Sequence, residues 1–242
     1  MSTPRFYLAQ PLALGARLNL PPGPARHAAR ALRLAPGAEI VLFDGRGGEY
    51  AARIERIQKE DVAVSVTGFQ PVERESALRV LLAQGISSGE RMDYTLQKAV
   101  ELGVDAIQPI AARRSVVKLN GERADRRIAH WQGVVASACE QCGRNRVPPV
   151  GPPLGLADWL GRRPAGRLLF LSPLADQRLA DLPPPTDADT LVAGPEGGFE
   201  ADEIAALHAA RATPVRLGAR ILRTETAALA ALAAMQTLWG DF

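Results

Sequence analysis

Cysteine is almost absent from this 242-residue chain, which holds only Cys139 and Cys142. Two thiols exclude a disulfide scaffold. Their C-x-x-C spacing invites a redox or zinc reading, but segment 128–142 reads as helical and places both thiols on one face. No second cysteine pair or neighbouring histidine completes a tetrahedral set, so the reading is two helix thiols in a reducing compartment and no metal site. Lysine is scarce as well: of 29 basic residues only Lys59, Lys98 and Lys118 are not arginine. No apolar run reaches the roughly 18 residues of a membrane span. The first twenty residues, with Arg5 and Arg17 among scattered Leu and Pro, lack the apolar core of a signal peptide, so a cytoplasmic protein without membrane contact is expected. Neither the dinucleotide fingerprint G-x-G-x-x-G nor the P-loop G-x-x-x-x-G-K-[ST] occurs, which leaves any small-molecule site to be built another way.

What is present begins with charge. The net charge is +3, and residues 1–72 carry all of it, with nine basic against six acidic side chains. The rest of the chain is balanced. A second local excess lies at 113–146, where Arg113, Arg114, Lys118, Arg123, Arg126, Arg127, Arg144 and Arg146 face only Glu122, Asp125 and Glu140. The planar guanidinium suits phosphates and base edges, so these clusters point to nucleic acid.

Residues 1–72 alternate short apolar runs with turn signals, at 6–8, 39–43, 50–54 and 62–66, and Asp44-Gly-Arg-Gly-Gly48 reads as a hairpin turn. One helical piece at 25–34, stopped by Pro36-Gly37, interrupts them. The expectation is a small β-barrel-like domain. Polar Gln70–Ser76 reads as a linker. From 73 to 242 strands at 78–83, 106–110, 167–171, 190–194 and 214–217 alternate with helices at 91–102, 123–142, 200–211 and 225–238, the pattern of a parallel α/β sheet. The last helix is apolar all round, which implies burial in a core or at a subunit contact. Thr224 is expected to cap it, with Glu225 in its positive first turn.

Two loops carry the chemistry. Leu191-Val-Ala-Gly-Pro-Glu-Gly-Gly-Phe199 and Val215-Arg-Leu-Gly-Ala-Arg-Ile-Leu-Arg-Thr-Glu-Thr-Ala227 each run from a strand through a glycine-bearing loop into a helix. Such loops gather backbone N–H groups about a bound molecule. Leu171, Leu217, Ile221 and Leu222 are placed to sandwich a flat heterocycle. Glu196 would repel a phosphate and suits a neutral or cationic ligand.

These two blocks, together with Glu90-Arg-Met-Asp93, Gln97-Lys-Ala-Val-Glu-Leu-Gly103, Arg114-Ser-Val-Val-Lys118 and Ala138-Cys-Glu-Gln-Cys-Gly-Arg-Asn145, resemble the ribosomal RNA small subunit methyltransferase E family, 16S rRNA uridine-N3 methyltransferases of the SPOUT superfamily. Arg5-Phe6, His27, Leu32-Arg-Leu34 and Leu42-Phe-Asp-Gly45 extend the resemblance over the first domain. It implies a PUA-like β-barrel at 1–72, then a SPOUT α/β domain at 73–242 with a C-terminal trefoil knot, in a homodimer with cofactor sites at the subunit contact.

The implied reaction moves the methyl of S-adenosylmethionine to N3 of a uridine in 16S RNA of the small ribosomal subunit. If the N3 proton has a pKa about two units above neutrality, forming the anion costs roughly 3 kcal/mol, so a cationic or basic group beside it should help. Arg223 is the first candidate, set against a structural salt bridge to Glu225 or to a partner subunit; Glu225 is either a base or an ordinary first-turn carboxylate. The resemblance assigns cofactor binding to Gly194, Pro195, Glu196, Gly197, Gly198, Leu217, Gly218, Ile221 and Leu222, with Leu171 and Thr226 nearby. Arg5, His27, Arg30, Arg33, Arg91, Arg113, Arg114 and Arg144 are the expected RNA contacts. Glu200 stands where the family often has a small capping residue. Ribose 2′-O-methylation by another SPOUT enzyme and a non-catalytic RNA-binding role stay open as alternatives.

Overall fold

The computed structural model describes residues 3–115 and 121–242; Lys118 of the second basic cluster lies outside them. The chain forms two compact units, one of Met1–Glu75 with Cys139–Val147 and one of Ser76–Ala138 with Pro148–Phe242. The expected change at 72/73 thus falls three residues later, and a short segment far along the chain joins the first unit.

In the first unit β1 (Arg5–Tyr7), β2 (Arg17–Asn19), β3 (Glu39–Phe43), β4 (Glu49–Gln58) and β5 (Asp61–Gln70) form a sheet in the order β1-β3-β4-β5-β2. Pair β3/β4 is antiparallel, as the glycine-rich turn at 44–48 requires, β4/β5 is antiparallel across a two-residue turn at 59–60, and β1 runs parallel to β3. Strand β5 shows the two-residue period plainly: Val62, Val64 and Val66 are buried against Phe6, Leu8, Ile40, Leu42 and Ile54. The helical piece starts earlier than the periodicity suggested, as α1 (Pro22–Arg26) with proline in its first turn, and continues as a π-turn over His27–Ala31.

The second unit alternates β6 (Arg79–Gly85), α2 (Gly89–Glu101), β7 (Ala106–Ile110), α3 (Gly121–Cys142), α4 (Leu156–Leu160), β8 (Arg167–Leu171), β9 (Ala188–Ala193), α5 (Ala201–Ala209), β10 (Thr213–Val215) and α6 (Thr224–Trp239). The five strands pair in parallel in the order β10-β8-β9-β6-β7. Leu191, Val192 and Ala193 of β9 are consecutive buried residues, the burial expected of a central parallel strand covered on both faces. Met92, Leu96 and Val100 of α2 are buried as their four-residue spacing requires. Helix α6 packs on α2 and β9, burying Ala228, Ala231, Leu232 and Met235. Leu229 and Ala230 stay half-buried, so in the single chain the apolar helix is covered on one side only.

Candidate functional site

Parallel strands point their carboxyl ends the same way, and the loops that leave neighbouring strands therefore meet. Here β10, β8 and β9 are adjacent, and the loops after them, at 216–223, 172–174 and 194–199, enclose one cavity of about 510 Å3. Leu171, Gly194, Pro195, Glu196, Gly197, Gly198, Leu217, Gly218, Ile221, Leu222 and Arg223 all line it. This volume is of small-molecule size.

The lining is chemically divided. Leu171, Pro173, Leu174, Leu217, Ile221 and Leu222 supply apolar surface. Gly198 and Gly218 adopt φ of +68° and +115°, and a Cβ at either would stand in open space, so the glycines satisfy the backbone and keep main-chain groups uncovered. Glu196 is held by the Ser88 N–H (3.0 Å), the Ser88 hydroxyl (3.2 Å) and Arg91 (3.4 Å), all through Oε1. Burial raises the pKa of this carboxyl, but the Ser88 donors and the Arg91 charge outweigh it and hold it below the ordinary glutamate value. Its other oxygen, Oε2, is buried and has no protein partner. A lined apolar slot beside an ionised carboxylate with one free acceptor fits a ligand that has a flat ring and either a hydroxyl or a positive charge.

Thr224 has a different role from the cap expected of it. Arg223 occupies the cap position, and Thr224, in the first turn, is buried. Its hydroxyl donates to the Gly194 carbonyl (2.5 Å) and accepts from Gln84 Nε2 (3.1 Å), which fastens the start of α6 to the end of β9 and to β6. Both cavity loops are anchored by that one side chain. Two residues on, Thr226 is exposed and does not line the cavity, because the helical rotation carries it away; Ala227 lines it instead. Glu225 also stays off the lining, with Oε2 buried and unpartnered. Arg223 is exposed, lines the cavity and forms no ion pair with Glu225.

The expected RNA contacts separate into two groups. In the first unit Arg5 is largely buried on Glu49 (2.6 Å) and the Asn145 side-chain oxygen (2.6 Å), and Arg144 is buried against Glu75 (2.5 Å). These two guanidiniums are internal struts and do not present phosphate-binding surface, because each sits against a carboxylate that the linear sequence places far away. His27, Arg30 and Arg33 are exposed, with Arg30 touching Glu60 (2.6 Å). In the second unit Arg91 pairs with Glu196, Arg113 with Asp202 and Arg114 with Glu200, all partly exposed. The cavity also holds Ser172, Leu174, Ile204, Arg216 and Arg220, which the motif reading passed over. Their signal was positional: 172–174 immediately follows a parallel strand.

A family model described as RNA methyltransferase domain matches residues 74–236, and one described as RNA methyltransferase PUA domain matches 25–67. The fold is similar to the crystal structure of a ribosomal RNA small subunit methyltransferase E from Neisseria gonorrhoeae bound to S-adenosyl methionine. The two are 45% identical over 100% of each chain, with a TM-score of 0.92. A putative methyltransferase from Legionella pneumophila, in complex with the same cofactor, is 38% identical over 100% of each chain, with a TM-score of 0.96. The ribosomal RNA small subunit methyltransferase E of Buchnera aphidicola is 30% identical over 239 residues, 98% of this chain and 97% of that protein. Matched in both its units and aligned from end to end with such relatives, the chain belongs to the ribosomal RNA small subunit methyltransferase E family of RNA methyltransferases.

Proposed function

We propose that this protein methylates N3 of a uridine in 16S ribosomal RNA, taking the methyl group from S-adenosylmethionine held in the three-loop cavity. The observation that carries the reading is the free, buried Oε2 of Glu196, on a cavity lined by apolar side chains and by Gly198 and Gly218. That acceptor and the apolar surfaces around it fit the ribose hydroxyls, the positive charges and the adenine ring of this cofactor. When bound, S-adenosylmethionine supplies a methyl group already activated by its sulfonium.

The protein's own share is alignment, exclusion of water and charge. Leu171, Leu217 and Leu222 would enclose the ring, and main-chain groups of 194–198 and 217–218 would hold its edge. Arg223, exposed on the lining and free of Glu225, would set its guanidinium against the uracil O2 or O4 as N3 loses its proton. Glu225, with its buried unpartnered oxygen, serves as a first-turn carboxylate rather than a group on the cavity.

The same reading assigns a PUA-like barrel to the first unit and places RNA on its exposed Arg30, Arg33 and His27. It also gives the second unit a C-terminal trefoil knot. A second copy would cover the half-exposed side of α6 in a cytoplasmic homodimer; no described helix is long and apolar enough to cross a membrane.

The test is methyl transfer by the purified chain to 30S particles and to free 16S RNA, with nucleoside mass analysis of the product. Formation of 3-methyluridine supports the proposal. A ribose-methylated nucleoside would replace the acceptor, and failure to bind S-adenosylmethionine in calorimetry would leave only an RNA-binding role.

A further inference from the structure

N3 lies in the middle of the Watson–Crick edge of uracil, so a paired uridine cannot offer it. The acceptor must be unpaired and turned out of any stack before it reaches a methyl donor. Whatever receives such a nucleotide must border the donor cavity and bind phosphate and base without a duplex groove.

The charged side chains on the cavity divide sharply. Glu196 is held by Ser88 and Arg91, and Arg114 is neutralised by Glu200. Arg216, Arg220 and Arg223 are exposed and have no ion-pair partner among the described residues. Asp181 is near enough for Arg216 to lower its pKa, but that carboxylate is already gripped by Arg178 (2.7 Å). The free cations therefore collect on one loop, 216–223. Within and opposite that loop stand two bare hydrophobes on the same cavity: Ile221 is 86% exposed and Leu174 is 91% exposed. Large apolar side chains left in water beside unpaired guanidiniums match the faces and the phosphates of a single strand.

Building on the proposed reaction, we infer that Arg216 and Arg220, with Leu174 and Ile221, form the lip on which an unpaired stretch of substrate RNA docks. The two guanidiniums take the phosphates that flank the acceptor, and the apolar pair takes the faces of the everted base. Arg223 is thereby left for the uracil itself.

The test compares the wild-type chain with R216Q/R220Q and with L174S, all exposed substitutions. Binding of a uridine-containing single-stranded oligoribonucleotide, and of the same strand in a duplex, is followed by fluorescence anisotropy over a range of salt. The expected result is a preference for the single strand that the double arginine variant weakens about tenfold, with a salt slope lower by about 1.4, at about 0.7 for each phosphate no longer neutralised. L174S should weaken single-strand binding with an unchanged salt slope, and S-adenosylmethionine affinity should stay within about twofold in both variants. Unchanged RNA affinity in R216Q/R220Q overturns the inference, as does an equal loss of cofactor affinity. RNA affinity that persists while light scattering shows an altered oligomeric state would give the lip to a second copy of the chain instead. Absence of methyl transfer by the wild type would sink the proposed reaction alone, because the binding arm does not depend on turnover.

Discussion

Arg114 grips Glu200 with two nitrogens, Nε at 2.8 Å and Nη2 at 3.1 Å, and reaches with Nη1 to the Gly197 carbonyl at 3.2 Å. The guanidinium therefore ties the N-cap residue of α5 to the loop that lines the cavity. Glu200 and Glu203 form a capping box at the start of α5, in which Glu203 Oε2 accepts from the Glu200 N–H at 2.9 Å. Side-chain hydrogen bonding from Arg114 holds the Glu200 carboxyl below its usual range. R114A is expected to weaken S-adenosylmethionine binding about fivefold while leaving the salt slope of RNA binding unchanged, since its charge is already engaged. In a double-mutant cycle R114A and E200A should be strongly non-additive; additive losses would show that the pair does not act as one unit.

The Thr224 hydroxyl can be tested by removing it without removing its volume. T224V leaves the Gly194 carbonyl without the Thr224 hydroxyl and the Gln84 amide nitrogen with only the Gly85 carbonyl, at about 1–3 kcal/mol for buried groups left unsatisfied. Thermal melting should fall accordingly, and cofactor affinity should fall with it because both loops lose their common anchor. T224S restores the hydroxyl and is expected to recover most of both. Recovery of stability without recovery of affinity would confine Thr224 to the fold.

Arg223 calls for a kinetic test. If its guanidinium stabilises charge on the uracil, R223A keeps S-adenosylmethionine affinity within about tenfold and loses most of the turnover, the signature of a contact made in the transition state. Equal losses in binding and turnover would assign it to holding the cofactor.

The loops at 194–199 and 216–223 were legible because each follows a short apolar run and carries glycines where a chain must leave a strand sharply. Their meeting was legible only as an inference from proximity in sequence; strand order, which makes β9 and β10 both neighbours of β8, is what brings them together. Strand β2 and helix α4, of three and five residues, are too short to show a period, and pairing or packing recruits them. Arg5 and Arg144 read as surface cations because a linear sequence reveals charge without the partner, and Glu49 and Glu75 lie 44 and 69 residues away. Thr226 was misplaced by one feature of helix geometry: a residue two positions from a buried one faces elsewhere.

Arg144 shows what a buried cation does to stability. Its side chain is 6% exposed and meets Glu75, itself 20% exposed, through Nε (3.1 Å) and Nη2 (2.5 Å). R144A strands the Glu75 carboxylate in a largely dry site, at a cost of about 3 kcal/mol. Urea unfolding should register that loss, whereas RNA binding by the folded variant should keep the wild-type salt slope. A lower slope would return Arg144 to the RNA-contacting set.

The two cysteines differ in reactivity although only two residues separate them. Cys139 is fully buried, its thiol pointing to the Arg146 carbonyl at 3.6 Å, and burial pushes its pKa up to about 12, beyond the counteracting charge of Arg144. Cys142 is only half-buried. Since the thiolate is the nucleophile, Cys139 has almost none at neutral pH, and raising the pH to 9 should not recruit it. Iodoacetamide treatment of the folded protein at pH 8 is therefore expected to add one label, on Cys142, with a second appearing only after denaturation. Rapid labelling of both thiols in the native state, or an oxidised Cys139–Cys142 pair formed under mild oxidant, would mean that this end of α3 opens far more readily than its packing implies.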